Sequence, residues 1–342
     1  MSKLILDKLK VLKPLIKGKG LPYEKYGVVK DGVLYFGNGF IQAEIPIDIP
    51  FNCCIDLYQL ETILRNVKGE SVIINKDGKV FVHFDETDYN IETLPIDSLN
   101  QTISFFNAET AVKCEEPPYI FKDFCSIAEG YVQPINKRQI TNEPNVDFLC
   151  ETLVIHNGTL ICTDKYNIIQ GVLDFGMPTM ALPLSALIYF NKIKKEDIVG
   201  MGLGNEFLLI EFSNGLKFYM PNLAHNQIER VATVYNRLVG TLDKVWEIPN
   251  IEIPMLVKEQ INLINKISLQ NAVFFNNTFC RAENSEIHYP SFTNEPFIFK
   301  CLYRHLKMAL TWGKWFKTNE KGMSFLSESN LVRGYIGKVL DD

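Results

Sequence analysis

Two hydrophobic rhythms take turns along this chain. Short apolar runs come in pairs about a Gly-, Asn-Gly- or Asp-Gly-containing centre, the pattern of β-hairpins. Between the pairs lie segments whose apolar residues return every three or four positions, the pattern of amphipathic helices. In the first third, Leu4 to Ile16 predicts a helix and "VLYFGNGFIQAEIP" a hairpin. "DLYQLETILRNVKG" predicts a second helix, with Leu57, Leu60, Ile63, Leu64 and Val67 on one face, Asp56 as N-cap and Gly69 as stop. "SVIINKDGKVFVHF" predicts a hairpin turning at Asp77-Gly78, and "YNIETLP" a closing strand.

The same order follows twice more. The middle third offers "YIFKDFCSIAEGYV", then "TLVIHNGTLICTDKYNIIQG" with a turn at Asn157-Gly158, then the helix "PLSALIYFNKIKKED" and "FLLIEFSNGLKFYMP" turning at Asn214-Gly215. The last third offers "PMLVKEQINLINKI", "AVFFNNTFCRAENSEIHYP", "KCLYRHLKMALTW" and "GMSFLSESNLVRGYIGKVL". Helix, hairpin, helix, hairpin thus recurs with a period of about 115 residues, against the roughly 20–50 of solenoids and propellers. The reading is an α+β fold of three similar domains, each with two helices packed on antiparallel sheets, at 1–99, 117–222 and 243–342. "LICTDKYNII" falls in the first hairpin of the second copy, with "FIQAEIP" and "FCRAENSEIHYP" as its counterparts.

Composition agrees with a globular chain: of 342 residues 46% are hydrophobic and 22% charged. No run of about 18 apolar residues predicts a membrane span. The basic N-terminus has lysines scattered through its apolar stretch, unlike a targeting peptide. The eight cysteines lack metal spacing and read as reduced core thiols, so the expected compartment is the cytoplasm, with no metal or cofactor.

A net charge of −5 gives no hint of a phosphate binder until its distribution is considered. Residues 1–30 hold eight lysines against Asp7 and Glu24. Other helix-like segments carry Lys192, Lys194 and Lys195, or Arg304, His305 and Lys307, while Asp85, Glu86, Asp88, Glu92, Glu109, Glu115 and Glu116 gather in hairpins and edges. Basic helices on one surface would attract phosphate without sequence preference, although each alone could equally be a solvated face.

Catalytic signatures are absent: there is no phosphate loop, zincin or nucleophile-elbow motif. "DFG" at Asp174–Gly176 lacks the other kinase motifs, and "GMGLG" at Gly200–Gly204 sits between strand-like runs, where a hairpin turn is expected. Asp164 in "CTDKYN" reads as a turn stabiliser.

The triplicated order, with "LKVLKPLIKGKGLP", "LICTDKYNII", "YNIETLP" and the terminal "RGYIGKVL", resembles the bacterial DNA polymerase III beta sliding clamp family over essentially the whole chain. The resemblance implies a head-to-tail homodimer ring lined by twelve helices, around duplex DNA held without sequence preference. By position it implies DNA contacts at Lys10, Lys13, Lys17, Lys19, Lys25, Arg65, Lys68, Lys137, Arg138, Lys192, Lys194, Lys195, Arg304 and Lys307, with Lys19 and Lys25 in the loop after the first helix. It also implies a polymerase and a clamp loader held by short peptides in an apolar pocket walled by Thr163, Tyr166 and Ile168, with Val231 and Leu340 opposite. The chain departs from the family's Met-Pro-Met-like ending, having Gly337, Lys338 and Val339 before Asp341 and Asp342. A lysine there must reach water or pay desolvation, and the departure points to a divergent, phage-type member. Two rival readings remain open: a clamp-like interaction protein that forms no ring, and a structural phage β-protein. An enzyme has only the stray motifs in its favour.

Overall fold

In a computed structural model of the chain, the described residues are 2–16, 21–37, 41–67, 69–99, 112–114, 119–129, 150–164, 166–173, 177–193, 198–204, 206–224, 226–267, 272–282 and 285–339. Six helices recur two per repeat: Ser2–Leu12 and Leu57–Asn66, Tyr119–Glu129 and Leu184–Ile193, Met255–Ile267 and Tyr303–Trp312. Each first helix precedes four strands, and each second helix precedes a three-stranded meander, followed in the first repeat by the short strand Thr93–Leu94. The repeat is therefore richer in strands than the one hairpin per half-copy of the sequence reading would give. Tyr26–Lys30 and Trp315–Thr318 are strands that the pairing of apolar runs missed.

Local chemistry accounts for the element ends. The first helix stops at Leu12 rather than Ile16, because Pro14 disfavours a helical residue before it. The Asp56 side chain accepts the Gln59 amide at 2.9 Å and caps the Leu57–Asn66 helix, whose Leu57, Leu60 and Leu64 are buried. Asp77-Gly78 and Asn157-Gly158 both turn with φ positive at each residue, the type I′ geometry that suits two-residue hairpins.

By contacts the chain forms two compact units, residues 1–117 with 185–223, and residues 118–184 with 224–342. In the first, a nine-stranded sheet runs Thr93–Leu94, Cys53–Asp56, Tyr26–Lys30, Val33–Gly37, Gln42–Pro46, Lys217–Pro221, Phe207–Phe212, Ile198–Leu203, Val112–Cys114. Its middle seam joins strands far apart in sequence, with Glu44 opposite Lys217, Ala43 opposite Phe218 and Gln42 opposite Tyr219. A three-stranded sheet of Val72–Lys76, Lys79–Phe84 and Thr87–Ile91 completes this unit's described strands. Gly200–Leu203 belongs to a strand and Gly204 closes a turn onto the Phe207 carbonyl, so "GMGLG" is part of a hairpin.

The second unit holds an eight-stranded sheet in the order Met180–Pro183, Thr152–His156, Thr159–Thr163, Asn167–Val172, Val332–Gly337, Gly322–Leu326, Trp315–Thr318, Ile251–Glu252. Its seam pairs Ile168 with Tyr335 and Gln170 with Arg333. A four-stranded sheet follows the order Ser285–His288, Phe279–Ala282, Ala272–Asn276, Ile298–Leu302.

One further long helix, Ile228–Val245, has no counterpart among the described residues of the other repeats. It lies in the stretch that the sequence reading left between its second and third domains. Val231, Val234, Tyr235, Leu238 and Leu242 form its buried stripe and pack on strands of the eight-stranded sheet. The opposite face of that sheet meets Phe124 of the Tyr119–Glu129 helix, whose ring lies where a side chain at Gly171 would go.

Candidate functional site

The described cations of the expected DNA surface sit on the repeated helices. Lys10 is exposed on Ser2–Leu12, 2.9 Å from Asp7 on the same helix. Lys13, just past that helix, and Arg65, in the last turn of Leu57–Asn66, approach the same buried carboxylate of Glu61 at 3.4 and 3.5 Å. Lys192 closes the Leu184–Ile193 helix with its ammonium 5.4 Å from the Tyr189 ring centre. Arg304 and Lys307 are exposed on Tyr303–Trp312.

Lys25 differs from these. It ends a short helix, Pro22–Lys25, rather than lying in a loop. Its ammonium stands 2.7 Å from the buried Asp56 carboxylate and 2.9 Å from Glu92. Hydrogen bonds to those two carboxylates push its pKa well above the ordinary lysine value. The geometry makes Lys25 a brace between the short helix and the neighbouring strands. Lys17, Lys19, Lys68, Lys137, Arg138, Lys194, Lys195 and Leu340 lie outside the described residues, as does "DFG".

The basic bias does not extend evenly. The Met255–Ile267 helix exposes Met255, Leu256, Glu259 and Leu263. Its Lys258 donates to the Gly313 carbonyl at 2.8 Å, and burial pulls that ammonium's pKa down. Acids gather as expected on the hairpins of the first repeat, where Asp85 and Glu86 form the turn before the Thr87–Ile91 strand.

The expected pocket wall shows a sharper pattern. Thr163, Ile168 and Val231 are buried, whereas Tyr166 is 71% exposed. Ile168 and Val231 do come together, in one apolar cluster with Val154, Ile161, Ala181 and Tyr335. That cluster is the interface beneath the Ile228–Val245 helix, so Ile168 and Val231 face each other across a filled contact. Lys338 is exposed and its amide bonds the Lys321 carbonyl, so the lysine keeps its head in water.

The turn between Thr163 and Asn167 is built by buried polar groups. The Asp164 carboxylate accepts the Tyr166 amide at 3.2 Å, the Asn167 amide at 3.0 Å and the Asn167 side-chain amide at 2.7 Å. His305, from Tyr303–Trp312, places Nε2 2.9 Å from Asp164 Oδ2, and Arg304 stands at 3.9 Å. Burial pushes the Asp164 carboxyl up, but the hydrogen bonds and charge of His305 with the bonds from Asn167 outweigh it and hold it below the ordinary carboxylate range. Asp164 is thus the turn stabiliser that the sequence implied, and it ties the turn to a helix of the next repeat. The thiols of Cys53 and Cys280 are buried, and burial pushes both up to about 12, which leaves them little nucleophilic character.

Sequence reasoning missed the Ile228–Val245 helix. Its signal was present: Val231, Val234, Tyr235, Leu238 and Leu242 keep helical spacing. Gly240 and the β-branched valines and threonines around it argue the other way on propensity.

Solved structures share this architecture over their full length. A Helicobacter pylori beta clamp bound to a DNA ligase peptide matches at a TM-score of 0.69 with 12% identity, covering 98% of this chain and 97% of its own. The beta subunit from DNA polymerase of Streptococcus pyogenes matches at 0.69 with 12% identity, and a DNA polymerase sliding clamp from Pseudomonas aeruginosa at 0.67 with 11%, each covering 99% of this chain and 98% of its own. At such identities the likeness is one of fold: helices and antiparallel sheets in the three-domain clamp arrangement. No family model and no curated protein sequence matches the chain.

Proposed function

We propose that the protein is a DNA sliding clamp, in which two copies close head to tail around duplex DNA and tether a polymerase and other DNA-acting proteins. The observation that carries this reading is the match to sliding clamps across 98–99% of the chain. A likeness that includes every repeat in order is what a ring-forming chain needs, whereas a single shared domain would not require it. On this reading the repeats are domains at 1–99, 117–222 and 243–342, the protein works in the cytoplasm, and it performs no chemistry.

The physics of such a device asks little of each contact. A closed heterologous dimer holds DNA by topology, so its phosphate contacts can be weak, exchangeable and salt-sensitive. Lys10, Lys192, Arg304 and Lys307 supply contacts of that kind, each from a repeated helix. Polymerase and loader would be recognised by short peptides, in keeping with the ligase peptide on the Helicobacter pylori clamp.

The test is solution mass by light scattering over a dilution series, followed by retention on DNA. A mass twice that of the chain that persists on dilution, with retention on circular DNA and loss after linearisation, is the expected result. A monomer at every concentration overturns the self-closing ring and leaves a clamp-shaped interaction protein.

A further inference from the structure

The face of the eight-stranded sheet that carries Ile168, one of the expected pocket residues, is covered by the chain itself. Val231, Val234, Tyr235, Leu238 and Leu242 bury one face of the Ile228–Val245 helix against Val154, Ile161, Ile168, Ala181 and Tyr335. The Tyr235 hydroxyl bonds Thr159 and receives the Gln170 side-chain amide at 3.1 Å, and Asp243 pairs with Arg333 at 2.7 Å. Glu229, Arg230, Thr233, Asn236, Arg237 and Thr241 face solvent on the other side.

This helix is weak by itself. Val231, Thr233, Val234, Val239, Thr241 and Val245 lower its propensity, and the Gln227 side chain supplies no N-cap bond. Gly240 stands mid-helix with open space where a Cβ would go, so no packing demand explains the glycine. Its helicity depends on docking, and a competitor for the groove would undock and unwind it together. The cover also ends beside an open cavity of about 340 Å³, lined by Lys244, Val245, Glu247, Asn319, Lys321 and Tyr335. Tyr335 belongs both to that cavity and to the covered cluster, and its buried hydroxyl has no hydrogen-bond partner among the described residues. An incoming chain therefore has a foothold next to the last turn of the cover.

We propose that Ile228–Val245 is an intramolecular occupant of the partner groove, and that an amphipathic peptide with an aromatic-aliphatic face binds in trans by displacing it. The inference deepens the clamp reading and rests on it for the identity of the groove. The probe is a fluorescent synthetic peptide carrying residues 228–245, added to the full-length protein. Leu238→Ala weakens the cover and Gly240→Ala strengthens the helix without a clash. Peptide affinity is expected to rise at least about tenfold in Leu238→Ala, where a buried leucine is lost. It is expected to fall about two- to fivefold in Gly240→Ala, from the helix propensity gained.

Amide exchange on the same proteins gives a second readout that needs no added ligand. Amides of 231–242 should exchange faster than those of 160–170 in the wild type, and more slowly in Gly240→Ala than in wild type. Equal peptide affinity in all three proteins, or exchange of 231–242 only with global unfolding, overturns the proposal. Solution mass and DNA retention of each variant report separately on the ring. A protein that fails those tests yet exchanges its cover refutes the clamp and keeps the displaceable helix.

Discussion

Two sheets of the second unit follow opposite rules. In the eight-stranded sheet, Thr152–His156, Thr159–Thr163 and Asn167–Val172 are buried almost without interruption, because the Ile228–Val245 helix covers one face and Phe124 packs on the other. In the four-stranded sheet, Ala272–Asn276 and Ile298–Leu302 alternate: Val273, Phe275, Phe299 and Cys301 are buried, while Phe274, Lys300 and Ile298 reach the other face. The sequences show this only in part. "LIC" is an unbroken apolar run, as a strand between two layers requires, and "IFKCL" carries its polar position between buried ones. "NIIQG" instead buries Asn167 and Gln170, each hydrogen-bonded, and "AVFF" is apolar throughout although Ala272 and Phe274 are only partly buried. Full burial of a strand is thus set by its second cover and not by an unbroken apolar run.

Matched isoleucines test that contrast most strongly. Ile161→Ala, between two layers, should cost about 2–5 kcal/mol in urea unfolding. Ile298→Ala, 54% exposed on the four-stranded sheet, should stay within about 0.5 kcal/mol. Equal losses would dissolve the distinction between the sheets.

The Asp164 turn sharpens it through pH. Its carboxyl is depressed in the folded state, so the unfolded chain takes up a proton first as the pH falls. The stabilisation is complete above the ordinary carboxylate pKa of about 4 and drains away below it, as the folded value is approached. The urea midpoint should drop from pH 5 to pH 3, and Asp164→Asn should flatten that drop. An unchanged pH slope in the variant would remove Asp164 from the account.

Smaller effects follow at the cover. Tyr235→Phe strands the Gln170 amide beneath the helix and should cost about 1–2 kcal/mol. Asp243→Ala breaks a solvent-facing pair with Arg333 and should cost about 0.2–1 kcal/mol, less at high salt. A larger loss from Asp243 than from Tyr235 would mean that the helix is held at its rim rather than by its buried face.

What could be read in advance was what local chemistry decides. The turns at Asp77-Gly78 and Asn157-Gly158, the cap at Asp56 and the threefold order of helices follow from residues a few positions apart. Tyr26–Lys30 was missed although Asp31-Gly32 behind it, with φ positive at both residues, was a usable turn signal. The burial of Ile168 and Val231 was beyond local reading. It depends on a helix whose own propensity is poor, and which forms because a sheet assembled from two repeats offers it a surface.

The seams where one repeat meets the next, Ile168 opposite Tyr335 and Ala43 opposite Phe218, are rows of main-chain hydrogen bonds. Every residue except proline brings the same amide and carbonyl to such a row. A joint of that kind tolerates almost any spelling, provided each strand keeps its pleat. Mutational drift can rewrite the letters on both sides without loosening the splice. Architecture can then outlast vocabulary, as it does between this chain and clamps that share 11–12% of its residues.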